Sequence, residues 1–140
     1  MTILQNQSLL GSLLAVGASV PIGSSAIVTV LGRNDMSTTQ QMGISWTVRD
    51  PDGVVVEPYD AWEAWPYCPP GSEHKFDGGR FDINKPGNWT ITIDLLMNKP
   101  DPVVVDTYDG VLCVVTEVFA GTITRKELKY DNVVGDIPVY

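Results

Sequence analysis

A single histidine, His74, and two cysteines, Cys68 and Cys113, are all the imidazole and thiol that this 140-residue chain contains. A structural zinc site takes three or four such ligands, so the sequence gives that reading little support. Nucleophilic catalysis meets the same shortage. A Ser-His-Asp or Cys-His arrangement would have to use His74, which stands between Glu73 and Lys75, and no Gly-x-Ser-x-Gly elbow occurs. Cys68 lies six residues before His74, but nothing in the sequence supplies the orienting group and oxyanion hole that such a pair needs. His74 reads as an exposed loop histidine. No catalytic residue, metal ligand or cofactor is assigned.

Positive charge is also scarce. Nine Lys and Arg face 17 Asp and Glu, for a formal net charge of −8. Phosphate backbones are bound by clustered cations, which argues against nucleic acid as a partner, and anionic membrane surfaces are disfavoured for the same reason. No run approaches the roughly 18 apolar residues of a membrane-spanning helix. Leu9 to Val16 is apolar in the manner of a secretion-signal core. Yet the first basic residue is Arg33, so the charged leader of such a signal is missing. The segment reads as a strand, and a role outside the cell would have to be reached without an ordinary signal peptide. No window keeps a 3.6-residue period, so no helix is expected, and no internal repeat appears.

What the chain does have is alternation of period 2. Phe81 and Ile83 alternate with Arg80 and Asp82; after Lys85-Pro86-Gly87, Trp89, Ile91, Ile93 and Leu95 alternate with Thr90, Thr92 and Asp94. Such a pattern lays one set of side chains on a core and the other in water. Pro86 presets φ and Gly87 tolerates positive φ, so the stretch predicts two antiparallel strands joined at a tight corner. Ile44, Trp46 and Val48 alternate in the same way, and Asp50-Pro51-Asp52-Gly53 is a strong turn before Val54-Val55-Val56-Glu57.

Further strands are expected over Leu10–Val20, over Ala26–Leu31 as a central strand, over Val103–Val105, over Val111–Phe119 as a run buried on both faces, and over Thr122–Leu128. Pro58 to Gly79 reads as a long irregular loop, and long loops often carry function. The fold class is all-β: an antiparallel β-sandwich of about 7–9 strands. Residues 9–130 form the sandwich, residues 1–8 an N-terminal arm and residues 131–140 a tail.

Three turn motifs carry a resemblance. Val20-Pro21-Ile22-Gly23-Ser24, Asp50-Pro51-Asp52-Gly53 and Pro86-Gly87-Asn88-Trp89 are similar to the turns of immunoglobulin-like modules of extracellular and virion proteins. The resemblance spans roughly residues 10–120 and implies an immunoglobulin-like sandwich with Trp89 in place of the usual corner tyrosine; it transfers no active site. In antibody-type domains a tryptophan lies between two paired cysteines in sequence. Here Trp46 precedes both, so a free, buried Cys113 is expected, with a Cys68–Cys113 disulfide as the alternative.

Acids are plentiful, including Asp50, Asp52, Glu57, Asp60, Glu63, Asp77, Asp82, Asp94, Asp101, Asp106 and Asp109. Most fall at turns, where Asp caps backbone amides; a glycosidase pair or a calcium site at Asp50, Asp52 and Asp77 are the sharper alternatives. Asn88-Trp89-Thr90 matches a glycosylation acceptor but reads as turn.

The aromatic segment Tyr59, Trp62, Trp65 and Tyr67 is the candidate working surface: a lid over the core, a protein interface, or a sugar-stacking face. Ile3, Leu4, Ile137, Val139 and Tyr140 are candidate docking residues at the two ends, suited to strand addition on neighbours. Together these features point to a non-enzymatic structural protein working through protein–protein contacts with other subunits. A homo-oligomer or a virion assembly, such as a phage or virus particle component made in the cytoplasm, is the expected setting. The alternative is a carbohydrate-binding or adhesion module that takes a glycan on residues 59–67.

Overall fold

The computed structural model describes residues 7–8, 11–12, 16–117 and 119–131. The candidate docking residues Ile3, Leu4, Ile137, Val139 and Tyr140 lie outside them. Nine strands follow one another with no helix among the described residues: β1 (Gln7–Ser8), β2 (Gly11–Ser12), β3 (Ala18–Pro21), β4 (Ser25–Arg33), β5 (Met42–Arg49), β6 (Val55–Trp62), β7 (Glu73–Asp82), β8 (Gly87–Met97) and β9 (Val103–Thr116). Seven of them build two sheets, one ordered β3-β9-β8-β5-β6 and one consisting of β4-β7, while β1 pairs with β2. The chain is a β-sandwich. A sheet carrying β9, β8, β5 and β6 opposite a sheet carrying β4 and β7 is also consistent with an immunoglobulin-like order.

Alternation makes the core. Ile44, Trp46 and Val48 of β5 are buried and lie opposite Leu95, Ile93 and Ile91 of β8. Direct cross-strand neighbours of this kind are the unit from which a sheet draws its stability. Val28 and Val30 of β4 with Phe76 and Phe81 of β7 supply the facing layer. The β5–β6 hairpin closes through Asp50, whose Oδ1 accepts the amides of Asp52 and Val54 at 2.9 and 3.0 Å. Gly53 there takes the positive φ of 82° that this turn demands.

The corner at residues 83–88 holds a different relation from a hairpin. β7 pairs with β4 and β8 pairs with β5 and β9, so the corner carries the chain from one sheet to the other. Trp89 is fully buried there, and its indole N–H donates to the Lys85 carbonyl at 3.0 Å. A corner tyrosine makes the same backward bond to the main chain. Gly87, at φ 121°, lies so close to Pro51 that a Cβ would come within 2.9 Å of the ring.

Other expectations are corrected. The pairing of β3 with β9 is parallel, the one exception to an antiparallel sandwich. Within Leu10–Val20, strand is confined to Gly11–Ser12 and Ala18–Val20 among the described residues. β4 is paired with β7 alone among the described residues, so it lies at an edge although its inner face is buried. Val103–Val105 and Val111–Thr116 belong to one 14-residue strand. In the later run Cys113 and Val115 are buried while Val111, Leu112 and Val114 are half-buried and Thr116 is exposed, so it is not buried on both faces.

Two further corrections follow from what each segment meets. β6 runs on to Trp62 and β7 begins at Glu73, so only residues 63–72 remain of the long loop. Pro58 stands within β6, an edge strand, where a missing N–H costs no ladder bond. Thr122–Leu128 has strand-like composition, yet it pairs with nothing within the described residues and stays exposed.

Candidate functional site

The aromatic quartet does not form one surface. Tyr59 on β6 stacks on Trp46, with ring centroids 4.5 Å apart and planes at 24°. Trp62, the last residue of β6, pairs across the sheet with Gly43 and lays its ring over it; a Cβ on Gly43 would meet that ring at 2.6 Å. Both are half-buried parts of the packing. Trp65 is 80% exposed and Tyr67 lies beside it in the loop at 37%. The lid role falls to Trp62, and any surface recognition by this segment falls to Trp65 and Tyr67.

Beneath that loop sits a polar cluster that no spacing in the sequence announces. Glu63 is 7% exposed. Its Oε1 accepts the amides of Met42 at 3.2 Å and Cys68 at 3.0 Å, and its Oε2 lies 3.1 Å from His74 Nδ1. Fully buried Asn34 donates from Nδ2 to the carbonyls of Thr38 and Cys68, both at 2.9 Å, and accepts the Met36 amide on Oδ1. A buried carboxylate is tolerable only when its lone pairs are met in this way. The two side chains clasp the loop after β4 to the loop after β6.

His74 is therefore a residue of β7 opposite Gly32, half-buried against Phe76, not a loop histidine. The neighbouring Cys68 thiol donates to the Ser72 carbonyl at 3.3 Å. Burial, and then the charge of Glu63, push its pKa up. A nucleophilic cysteine requires the opposite shift. Cys113 is likewise buried and pushed up to about 11 by burial alone, and both thiols are free.

The three acids of the calcium alternative make separate contacts. Lys85 Nζ sits between Asp50 Oδ2 at 3.0 Å and Asp52 Oδ2 at 2.9 Å. Its hydrogen bond holds the Asp50 carboxyl below its ordinary value, against the opposing effect of burial. Asp77 instead accepts from Thr29 at 2.6 Å on the outer face of the small sheet, so the three acids are not gathered around a cation.

The feature left open is an edge. An unpaired strand edge invites another chain, and proteins blunt such edges with proline, charge or a covering segment. β6 carries Glu57, Pro58 and Asp60 along its length. Glu57 also reaches over to accept the Gly79 amide of β7 at 2.9 Å. β4 has no proline and no charge before its last residue, Arg33. Its ladder with β7 shifts register between Ile27 and Thr29, and only β7 pairs with it among the described residues.

Facing that edge is the first part of β9. Its ladder with β3 covers Cys113–Thr116, the Gly17 amide donates to the Leu112 carbonyl at 2.7 Å, and Val103, Val104 and Val105 are exposed. Between the two edges lies a groove of about 360 Å³, lined by Val30, Ile44, Ile93, Leu95, Val105 and Tyr108. Arg33, Asp35, Glu73 and Asp106 add charge to its lining. Gly32 admits the Leu95 side chain here, since a Cβ would stand 2.6 Å from Leu95 Cδ1. Sequence reasoning placed β4 in the middle of a sheet and so missed this site. The signal was present: β4 and the start of β9 are the apolar strands whose partners the sequence does not supply.

No family model and no curated protein matches the sequence. Among solved structures the chain is similar to a β-glucuronidase of glycoside hydrolase family 2, with 18% identity and a TM-score of 0.45 over 66% of this chain. The matched part is 10% of that structure's chain. A likeness this distant and this partial bears on neither activity nor substrate.

Proposed function

We propose that this chain is a non-catalytic assembly module that works through protein–protein contacts with other subunits, and that its setting is a virus or phage particle or a similar extracellular assembly. The observation that carries the reading is the β4 edge, unpaired among the described residues and without proline or charge before Arg33, beside a groove of mixed apolar and charged lining. The β6 edge of the same chain carries charge and proline along its length. Main-chain hydrogen bonds along such an edge give affinity, and alternate side chains entering the groove give selectivity. The virion setting draws its support from the resemblance of the three turns to immunoglobulin-like modules. Light scattering of the full chain, with electron microscopy of the same sample, tests the reading. Discrete oligomers, rings or filaments support it; a monomer at every concentration that captures no particle component contradicts it.

A second reading has its own observation. Trp65 is 80% exposed, with Tyr67 two residues on, and flat aromatic faces of this kind stack on sugar rings. Under this reading the chain is a carbohydrate-binding or adhesion module, and Trp65→Ala with Tyr67→Ala abolishes glycan binding while leaving assembly intact. An array of glycans on which the wild type binds nothing removes the reading.

A further inference from the structure

We infer that the groove between β4 and β9 is the acceptor for a strand donated by a second copy of this chain, and that the donated strand lies within residues 119–131. The inference rests on the assembly reading above and names its partner and its contact.

Three observations meet here. The first is the donor. Residues 119–131 follow β9 without joining either sheet, yet they expose large apolar side chains: Phe119 at 88%, Ile123 at 76% and Leu128 at 81%. A monomer gains nothing from holding these residues in water, and contiguous exposed apolar groups mark contact surfaces. Phe119 and Ile123 are four residues apart, so an extended chain places both on one face. Thr122 and Thr124 between and beside them suit a strand.

The second is the acceptor. The nine residues of β4 present one ladder edge with no pairing among the described residues, and nine donor residues from Phe119 to Glu127 would match it in length, about 30 Å at ~3.3 Å per residue. The groove beneath sets Val30, Ile44, Ile93 and Leu95 among charged residues and is bounded by the exposed Val105 of β9. A strand seated there turns the two-stranded sheet into three strands.

The third is charge. Arg125, Lys126 and Lys129 are three of the nine basic residues of a chain with net charge −8. The groove lining carries Asp35, Glu73 and Asp106 against the single cation Arg33. Glu127 and Asp131 offset two of the segment's cations, with Glu127 paired to Arg125. In the lining Asp35 is paired with Arg33, and Glu73 and Asp106 remain in excess. A segment of small positive charge therefore approaches a slightly acidic lining, a weak attraction that favours encounter. In its own chain the segment leaves Phe119 and Ile123 in solvent, so the occupant is the segment of a neighbour.

The test uses the full chain. Sedimentation of the wild type should show self-association, and Phe119→Asp with Ile123→Asp should weaken it by about a hundredfold, as expected for removing two buried apolar anchors. Both positions are exposed in the single chain, so the variant should keep the wild-type circular dichroism. In parallel, Ile123→Cys protein is mixed with Val105→Cys protein and treated with a short bis-maleimide. The native thiols are buried, and the mixed dimer should exceed that formed with a Trp65→Cys control.

Self-association that the double Asp variant leaves unchanged would overturn the donor strand while leaving the assembly reading standing. A wild type that is monomeric at all concentrations would overturn the second copy as occupant. So would a chain carrying both cysteines that cross-links only within itself. No excess of mixed dimer over the control would place the contact elsewhere.

Discussion

Trp62 lies over Gly43 across the β5–β6 pair, so closely that a methyl group on Gly43 would sit 2.6 Å from the indole ring. The ring is rigid and cannot yield as a flexible side-chain end would. Gly43→Ala should therefore push Trp62 off the sheet and cost about 1–3 kcal/mol, in the range of overpacking in a filled core. Denaturant melts report the loss, and a red shift of tryptophan emission reports the displaced ring. An unchanged emission maximum with unchanged stability would show that Trp62 does not hold this position.

Lys85 and Asp50 tie the corner between the sheets to the β5–β6 turn. The folded-state pKa of Asp50 is lowered, first by the Lys85 hydrogen bond. A lowered carboxylate pKa contributes stability that is present above the unfolded value of about 4 and lost as pH falls through the folded value. Acid unfolding followed below about pH 4 should shift to higher pH in Lys85→Met, and the two proteins should converge once Asp50 is protonated in both.

The two thiols should resist modification. Burial raises both, Cys113 to about 11, so thiolate is scarce at neutral pH and access is blocked as well. Titration with a chromogenic disulfide at pH 8 should count no rapidly reacting thiol in the native chain and two after denaturation. Raised thiol pKa values also remove stability as pH climbs from about 9 through the folded values, since the unfolded chain ionises first.

Trp65→Ala should leave stability within about 0.5 kcal/mol of the wild type, because its side chain makes little packing contact at 80% exposure. Trp46→Ala, from the fully packed core, should cost about 3–5 kcal/mol. The pair of melts checks that the aromatic segment is divided between packing and surface.

Alternation made β5, β8 and the Asp50–Gly53 turn legible in the sequence, because one face of each strand meets the core and the turn chemistry is local. Pairing was harder to read. Phe81 and Trp89 both face inward whether their strands share a sheet or face one another, so alternation alone did not say that the corner between them passes from one sheet to the other. Pro58 hid the length of β6, since proline excludes a central strand but not an edge. The buried roles of Glu63 and Asn34 were not legible because they depend on groups distant in sequence, the Met42 amide for Glu63 and the Cys68 carbonyl for Asn34. Thr122–Leu128 had the composition of a strand and lacks only a partner, and that missing partner is what the open β4 edge would provide.

Hydrogen exchange along β4, measured at rising concentrations of the full chain, tests the central claim most directly. The account predicts that amides from Ala26 to Gly32 gain protection as the chain associates, while those of Val55 to Trp62 on the guarded β6 edge do not. Association that leaves Ala26–Gly32 unprotected, or that protects β6 instead, would contradict it.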